Sequence, residues 1–224
     1  MNPRQIDRFF TVVGRQLTRP ARAIVTGAAA GALWGHVRPS LDIDFGIRVL
    51  GGAKGWAEVE AAVEEAKKLT GIDANYAVDI DRWGAITLLD YDRHTHPYKT
   101  FGRLNVELLD PAYWTIGKLS RSLDTDIQDV IAVLRHRNSQ LEPLVRLWGR
   151  ALRQSPRSVA CTQFRHHVEH FLRTCGRRIW GQAFDPQRAI ATFHRHASMS
   201  ARKHSRGLPN RPSAVLLRKT NRGG

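Results

Sequence analysis

Apolar residues recur at helical spacing in residues 5–16, where Ile6, Phe9, Phe10 and Val13 share one face, and Pro20 stops that helix before the next element. Residues 21–25 then read as a short strand. Thr26 and Gly27 break it, and the small-residue run 28–34 reads as a closely packing helix ended by Gly35. Beyond the polar link 36–40, Leu41, Ile43 and Phe45 alternate with Asp42 and Asp44, the two-residue period of a strand. Gly51 and Gly52 end this strand, and Val59, Ala62, Val63 and Ala66 predict a helix over 56–69. Residues 76–80, 85–89 and 104–109 read as further strands, the last two separated by a polar loop over 90–102.

The pattern then changes. Asp110 followed by Pro111 is a helix start, an N-cap with proline in the first turn, and the helix continues over 113–119. After a second cap near Asp124, the residues Ile127, Val130, Ile131 and Leu134 form an amphipathic stripe. Helical patterning returns at 141–152, 161–180 and 186–194 with no strand signal between. From about 198 to 224 the chain is rich in Arg, Pro and Gly with little apolar periodicity, so a flexible tail is expected. The expected fold class is therefore α+β: a mixed sheet flanked by helices in residues 1–135, a helical region over 136–197 and a basic tail over 198–224.

A hydrophobic share of 42% in 224 residues is enough for a real core. No apolar run of 18 residues occurs, and the start MNPRQIDRFF lacks a signal-peptide core, so neither membrane insertion nor export is expected and a cytoplasmic location is. Charge changes the picture more. Residues 1–134 hold 16 Lys and Arg against 17 Asp and Glu, whereas residues 135–224 hold 19 against 3, so the whole excess of +15 lies in the C-terminal part. An arginine-rich excess of that size points to a polyanion such as RNA or DNA. An acidic protein partner or solubility alone remain the alternatives.

Cys161 and Cys175 lack paired ligand spacing and read as reduced cysteines on helices. His166, His167, His170, His194 and His196 crowd the same region, but no H-E-x-x-H accompanies them, so RNA contact or plain helix surface is expected before zinc.

The chemistry centres on Asp42 and Asp44. Two residues apart on one strand, their carboxylates project from one face with Cα atoms about 7 Å apart. Like charges on a half-buried face are costly unless a cation neutralises them, and Mg²⁺ prefers carboxylate and phosphate oxygens. Upstream, Gly27 stands at a strand-to-helix turn, where backbone N–H groups and the helix dipole can hold a phosphate.

Strand, glycine turn, helix and a strand bearing D-x-D, in VTGAAAGALWGHVRPSLDIDFGIRV, resemble the nucleotidyltransferase superfamily with its minimal polymerase-beta-like fold. Gly35, Arg38, Pro39, Ser40, Asp42 and Asp44 are similar to the G-x-x-R-x-[ST]-x-D-x-D pattern of toxin-type nucleotidyltransferases from abortive-infection and toxin–antitoxin systems. That subgroup carries a helical K-L-x-R and spaced aspartates downstream, matched here by Lys118, Leu119, Arg121, Asp126 and Asp129. The resemblance spans roughly residues 20–135 and leaves the basic C-terminal part unmatched.

The resemblance implies a metal-dependent transferase moving an NMP from an NTP to an acceptor. Asp42 and Asp44 would hold Mg²⁺ or Mn²⁺ on the triphosphate, with Glu107 as third carboxylate and Asp79 as its competitor. Gly27 and Ala28 would contact the nucleotide, Arg38 and Ser40 would contact it too or hold their loop through hydrogen bonds, Lys118 and Arg121 would meet its phosphates from one helix face, and Asp126 and Asp129 would orient Lys118 or simply favour their helix start. The charge balance makes RNA, such as tRNA, the expected acceptor, and the subgroup implies a toxin with an antitoxin partner. Transfer to a protein side chain is one alternative. An inactive module that binds nucleic acid or protein is the other, favoured by Ala28 where many active members carry serine or glycine.

Overall fold

A computed structural model describes residues 1–35 and 41–198. Helix α1 (Pro3–Gln16) starts at a capping box in which the side chains of Asn2 and Gln5 each accept from the other's backbone N–H. Strand β1 (Ala21–Thr26), helix α2 (Gly27–Trp34), strand β2 (Asp42–Val49), helix α3 (Gly52–Thr70) and strand β3 (Asp73–Ala77) follow. Strands β4 (Thr95–Phe101) and β5 (Leu104–Leu109) form a hairpin, and helices α4 (Pro111–Arg121), α5 (Asp124–His136), α6 (Leu141–Gln154), α7 (Val159–Trp180) and α8 (Pro186–Ser198) complete the described residues. The architecture is mixed α+β, a five-stranded sheet flanked by helices and followed by a helical region.

The sheet runs β3-β2-β1-β5-β4, with β1 parallel to β5, β2 parallel to β3, and the pairs β1–β2 and β4–β5 antiparallel. Its register sets Ala23 beside Ile47 and Val106, and Asp44 beside Thr26 and Asn75. Because strand side chains alternate, this alignment separates two faces. The apolar face is covered by α1 and α3: the rings of Phe9 and Phe10 meet Phe45 edge-on at 6.2 and 5.4 Å, with Val59, Ala62, Val63 and Ala66 buried alongside. Burying each such phenyl ring contributes roughly 1.5–3 kcal/mol relative to exposure.

The other face carries Arg22, Asp42, Asp44, Arg48, Asn75 and Glu107. The segment 80–93, with two short 3₁₀ turns, crosses it. Ile80 packs onto Gly46, where any Cβ would lie 3.1 Å from Ile80 Cγ2. The C-terminal helices share the core of the sheet, since one contiguous apolar cluster runs from Ile6 to Phe193. Trp148 of α6 donates to Thr115 Oγ1 of α4 at 2.9 Å, and Trp180 of α7 to the Ser139 carbonyl at 2.9 Å.

Three expectations are corrected. Residues 85–89 form no strand, because the N–H groups of Thr87 and Leu88 go to the Ser155 hydroxyl and the Asp81 carboxylate instead of a ladder. Within the expected polar loop 90–102, Thr95–Phe101 is edge strand β4, whose polar residues and Pro97, at a register shift, suit a strand paired on one side only. Strand β3 lies at Asp73–Ala77, earlier than the expected 76–80, because its edge exposes Asp73 and Asn75 and hides the alternation. Of the tail expected over 198–224, all but Ser198 lies outside the described residues.

Candidate functional site

The two aspartates stand at the start of β2, on its polar face, as their spacing predicts. Asn75 of the neighbouring β3 donates its side-chain amide to Asp42 Oδ2 and to Asp44 Oδ1, both at 3.0 Å, and so ties the carboxylates together. Burial, and then the negative charge of Asp42, push the Asp44 carboxyl above its ordinary value, against the hydrogen bond from Asn75 and the charges of Arg121 and Lys118. A partly buried Asp44 carboxyl beside a second negative charge is a group that a cation would stabilise.

Across the strand pair, Thr26 faces Asp44 and the chain turns at once into α2. Gly27 opens that helix with φ +62, and a Cβ there would lie 1.9 Å from Asp44 Oδ2, so only glycine lets the turn approach the carboxylate. Thr26 makes no side-chain bond to the first turn of α2, which begins with Gly27 and the half-buried Ala28. The Gly27 carbonyl is fixed by the Trp114 indole N–H of α4 at 2.7 Å.

Helix α4 brings two cations toward this end of the sheet and places them differently. Lys118 is 2% exposed, and its ammonium pairs with Asp126 at 2.8 Å and Asp129 at 2.7 Å, carboxylates that are themselves 1% and 4% exposed. It also lies 5.2 Å from the centroid of the Trp114 ring. Asp126 and Asp129 therefore hold Lys118, one of the two roles read for them, and Lys118 binds α4 to α5 from inside. Arg121, three residues on, bonds Asp126 through Nε at 3.0 Å and Nη2 at 3.2 Å while its side chain stays 56% exposed. Burial pushes the Asp126 carboxyl up, and Arg121 and Lys118 together outweigh it and hold the group below its ordinary value.

Arg121 reaches a cleft of 380 Å³ walled by Gly27 and Asp44 on one side, Gly117 and Ser120 of α4 on another, and Trp83, Ile86 and Leu88 on a third. The volume is within the range of small-molecule sites. Its charged groups are Asp44, Asp81 and Arg121 and another wall is apolar, which suits a ligand with a polar end and a flat organic end.

The expected third carboxylates do not join the pair. Glu107 shares the polar face but stands beside Ile24, which faces Gly46, and its oxygens accept from Arg22 Nε at 2.8 Å, Arg22 Nη2 at 2.6 Å and the Thr95 hydroxyl. The Arg22 bonds hold its carboxyl below the ordinary value. Asp79 lies past the end of β3, accepting from the Asp81 N–H at 3.0 Å and the Tyr91 hydroxyl at 2.9 Å. Among the described residues no group of three or more His, Cys, Asp or Glu is placed to hold a metal unaided. Arg38 and Ser40 lie outside the described residues.

Sequence reasoning missed Asn75, Asp81 and the apolar wall. Asn75 follows from the β2–β3 register, which a strand started at residue 76 conceals. Asp81 lines the same cleft as Asp44 while accepting from the Leu88 N–H, a bond tied to a turn where a strand was expected. Comparison of the chain with family models, with curated proteins and with solved structures gives no match.

Proposed function

We propose that this protein is a nucleotidyltransferase that moves an NMP from an NTP to an acceptor hydroxyl, with RNA as the acceptor class. The observation that carries the reading is that Asp44, tied to Asp42 through Asn75, meets the Gly27 turn in a cleft that Arg121 also lines. Two carboxylates on one face of a strand are a donor set that Mg²⁺ accepts when phosphate oxygens and water supply the remaining ligands. Asp42 and Asp44 would hold the ion, Mg²⁺ or Mn²⁺, which when bound neutralises phosphate oxygens and favours departure of pyrophosphate.

The chain's own groups account for the rest. First-turn amides of α2 and the exposed guanidinium of Arg121 bind triphosphate oxygens, while Trp83, Ile86 and Leu88 receive the nucleoside. Lys118, Asp126 and Asp129 keep Arg121 and α4 in place. In the reaction the acceptor oxygen bonds to the α-phosphorus as the bond to the β-phosphate oxygen breaks. Pyrophosphate leaves with that electron pair, and the hydroxyl proton passes to water.

RNA as the acceptor is supported by the arginines of the C-terminal helices, and the toxin-type resemblance extends the proposal to a toxin held in check by an antitoxin protein. No described helix is long and apolar enough to cross a membrane. The reading is tested by pyrophosphate release from each NTP in the presence of Mg²⁺ and cellular RNA. Release by the wild type and its loss in Asp42→Asn, Asp44→Asn support it; equal release by both proteins refutes it.

A further inference from the structure

Helices α6 and α8 meet at Gly149, where a Cβ would lie 2.7 Å from both the His196 Cβ and the Phe193 carbonyl oxygen. This close approach sets Arg146, Arg150 and Arg153, one turn apart on α6, around His196 of α8, whose carbonyl accepts from Arg153 at 3.3 Å, with Arg195 adjacent in α8. Burial first, and then the charges of Arg146, Arg195, Arg150 and Arg153, hold the His196 imidazole below its ordinary pKa.

Local carboxylates offset them only in part. Of the acids in residues 135–198, Glu142 pairs with Arg146, Glu169 bonds Arg173 and His194, and Asp185 caps α8. Among the described residues no carboxylate lies within ion-pair distance of Arg150 or Arg195, and both are exposed. Arg150 stands between two open grooves. One, of 540 Å³, is shared with Arg146, its partner Glu142 and His196; the other, of 440 Å³, adds Arg137, His94 and Tyr113, with Asp110 bonded to His96 in its wall.

Like charges held this close by a helix pair repel one another, and a polyanion relieves the repulsion. Guanidinium forks match phosphate oxygens in particular. In the second groove the exposed His94 ring stacks on Tyr113 at 4.5 Å, a platform for an unpaired base that an acidic protein surface would not need. We infer that the arginine face of α6 and α8, with the groove leading from Arg150 to His94, binds single-stranded RNA by its phosphates. The inference rests on RNA being the acceptor class, and it assigns the docking surface to described helices rather than to residues 199–224.

The test is fluorescence anisotropy with a labelled single-stranded RNA, in an Asp42→Asn, Asp44→Asn background so that binding is read apart from transfer. Arg146→Ala, Arg150→Ala, Arg195→Ala is compared with an equal charge change on α7, Arg165→Ala, Arg173→Ala, Arg177→Ala, and circular dichroism melts confirm that both fold. The α6–α8 variant is expected to bind roughly tenfold or more weakly, with the slope of log K against log salt reduced by about 2, while the α7 variant changes less than about threefold. Equal weakening by both variants, unchanged binding in the first, or a preference for polyglutamate over RNA overturns the inference. RNA binding that persists without any NMP transfer would instead count against the proposed reaction alone.

Discussion

Lys118→Met removes the one ammonium between two buried carboxylates. The native side chain is 2% exposed and bonds Asp126 and Asp129 at 2.8 and 2.7 Å, so its loss leaves two negative charges inside with Arg121 as the remaining cation on Asp126. Methionine fills most of the space, which confines the effect to charge. Breaking a buried ion pair by deleting one partner costs about 3–5 kcal/mol. For a chain of this size that is a fall of roughly 6–20 °C in Tm.

Thermal and urea unfolding at neutral pH measure it. Adding Asp126→Asn and Asp129→Asn removes both negative charges, and the triple variant should recover more than half of the loss. A single-variant loss below about 1 kcal/mol would refute the reasoning, because it would place the ammonium in solvent, free to act in the cleft. A loss that the triple variant fails to recover would assign the effect to packing.

The same network gives a pH dependence: the Asp126 carboxyl is held below its ordinary value in the fold, so its stabilisation is present above the unfolded value of about 3.9 and lost as pH falls through the folded one. Acid titrations of Tm should therefore converge for wild type and Lys118→Met; curves that stay parallel to the lowest pH contradict this. Gly27→Ala forces a Cβ to 1.9 Å from Asp44 Oδ2 at φ +62, and the left-handed backbone alone costs about 1–2 kcal/mol, so a urea midpoint equivalent to that of wild type would show that the turn does not press on Asp44. Asn75→Ala removes the amide that favours ionised Asp44, so the Asp44 carboxyl should titrate higher still by carboxyl-carbon NMR, and an unchanged titration would remove Asn75 from the site.

Strong periodicity made the fold legible where one side of an element is buried: Ile43, Phe45 and Ile47 on β2 and the stripes of α3, α5 and α6 all face the core. Legibility failed at the sheet edges, where β3 and β4 lack a buried row on both sides, and at 85–89, where an apolar run forms a cleft wall instead of a strand. For the site, spacing placed Asp42 and Asp44 on one face because the strand period is fixed. It could not place Glu107, since a shared face does not give a shared end, and Arg22 draws the carboxylate away. Nor does a three-residue spacing on α4 reveal that Lys118 turns inward while Arg121 turns out; that depends on α5 supplying Asp126 and Asp129.

The proposed transfer of a nucleotide at Asp42 and Asp44 has a direct readout. The most direct measurement incubates the protein with Mg²⁺, total cellular RNA and each NTP labelled on the α-phosphate, then resolves RNA and protein by denaturing electrophoresis. Label is expected on RNA with the wild type and on nothing with Asp42→Ala, Asp44→Ala. Label that appears equally with the variant, or with neither protein under Mg²⁺ or Mn²⁺, contradicts it.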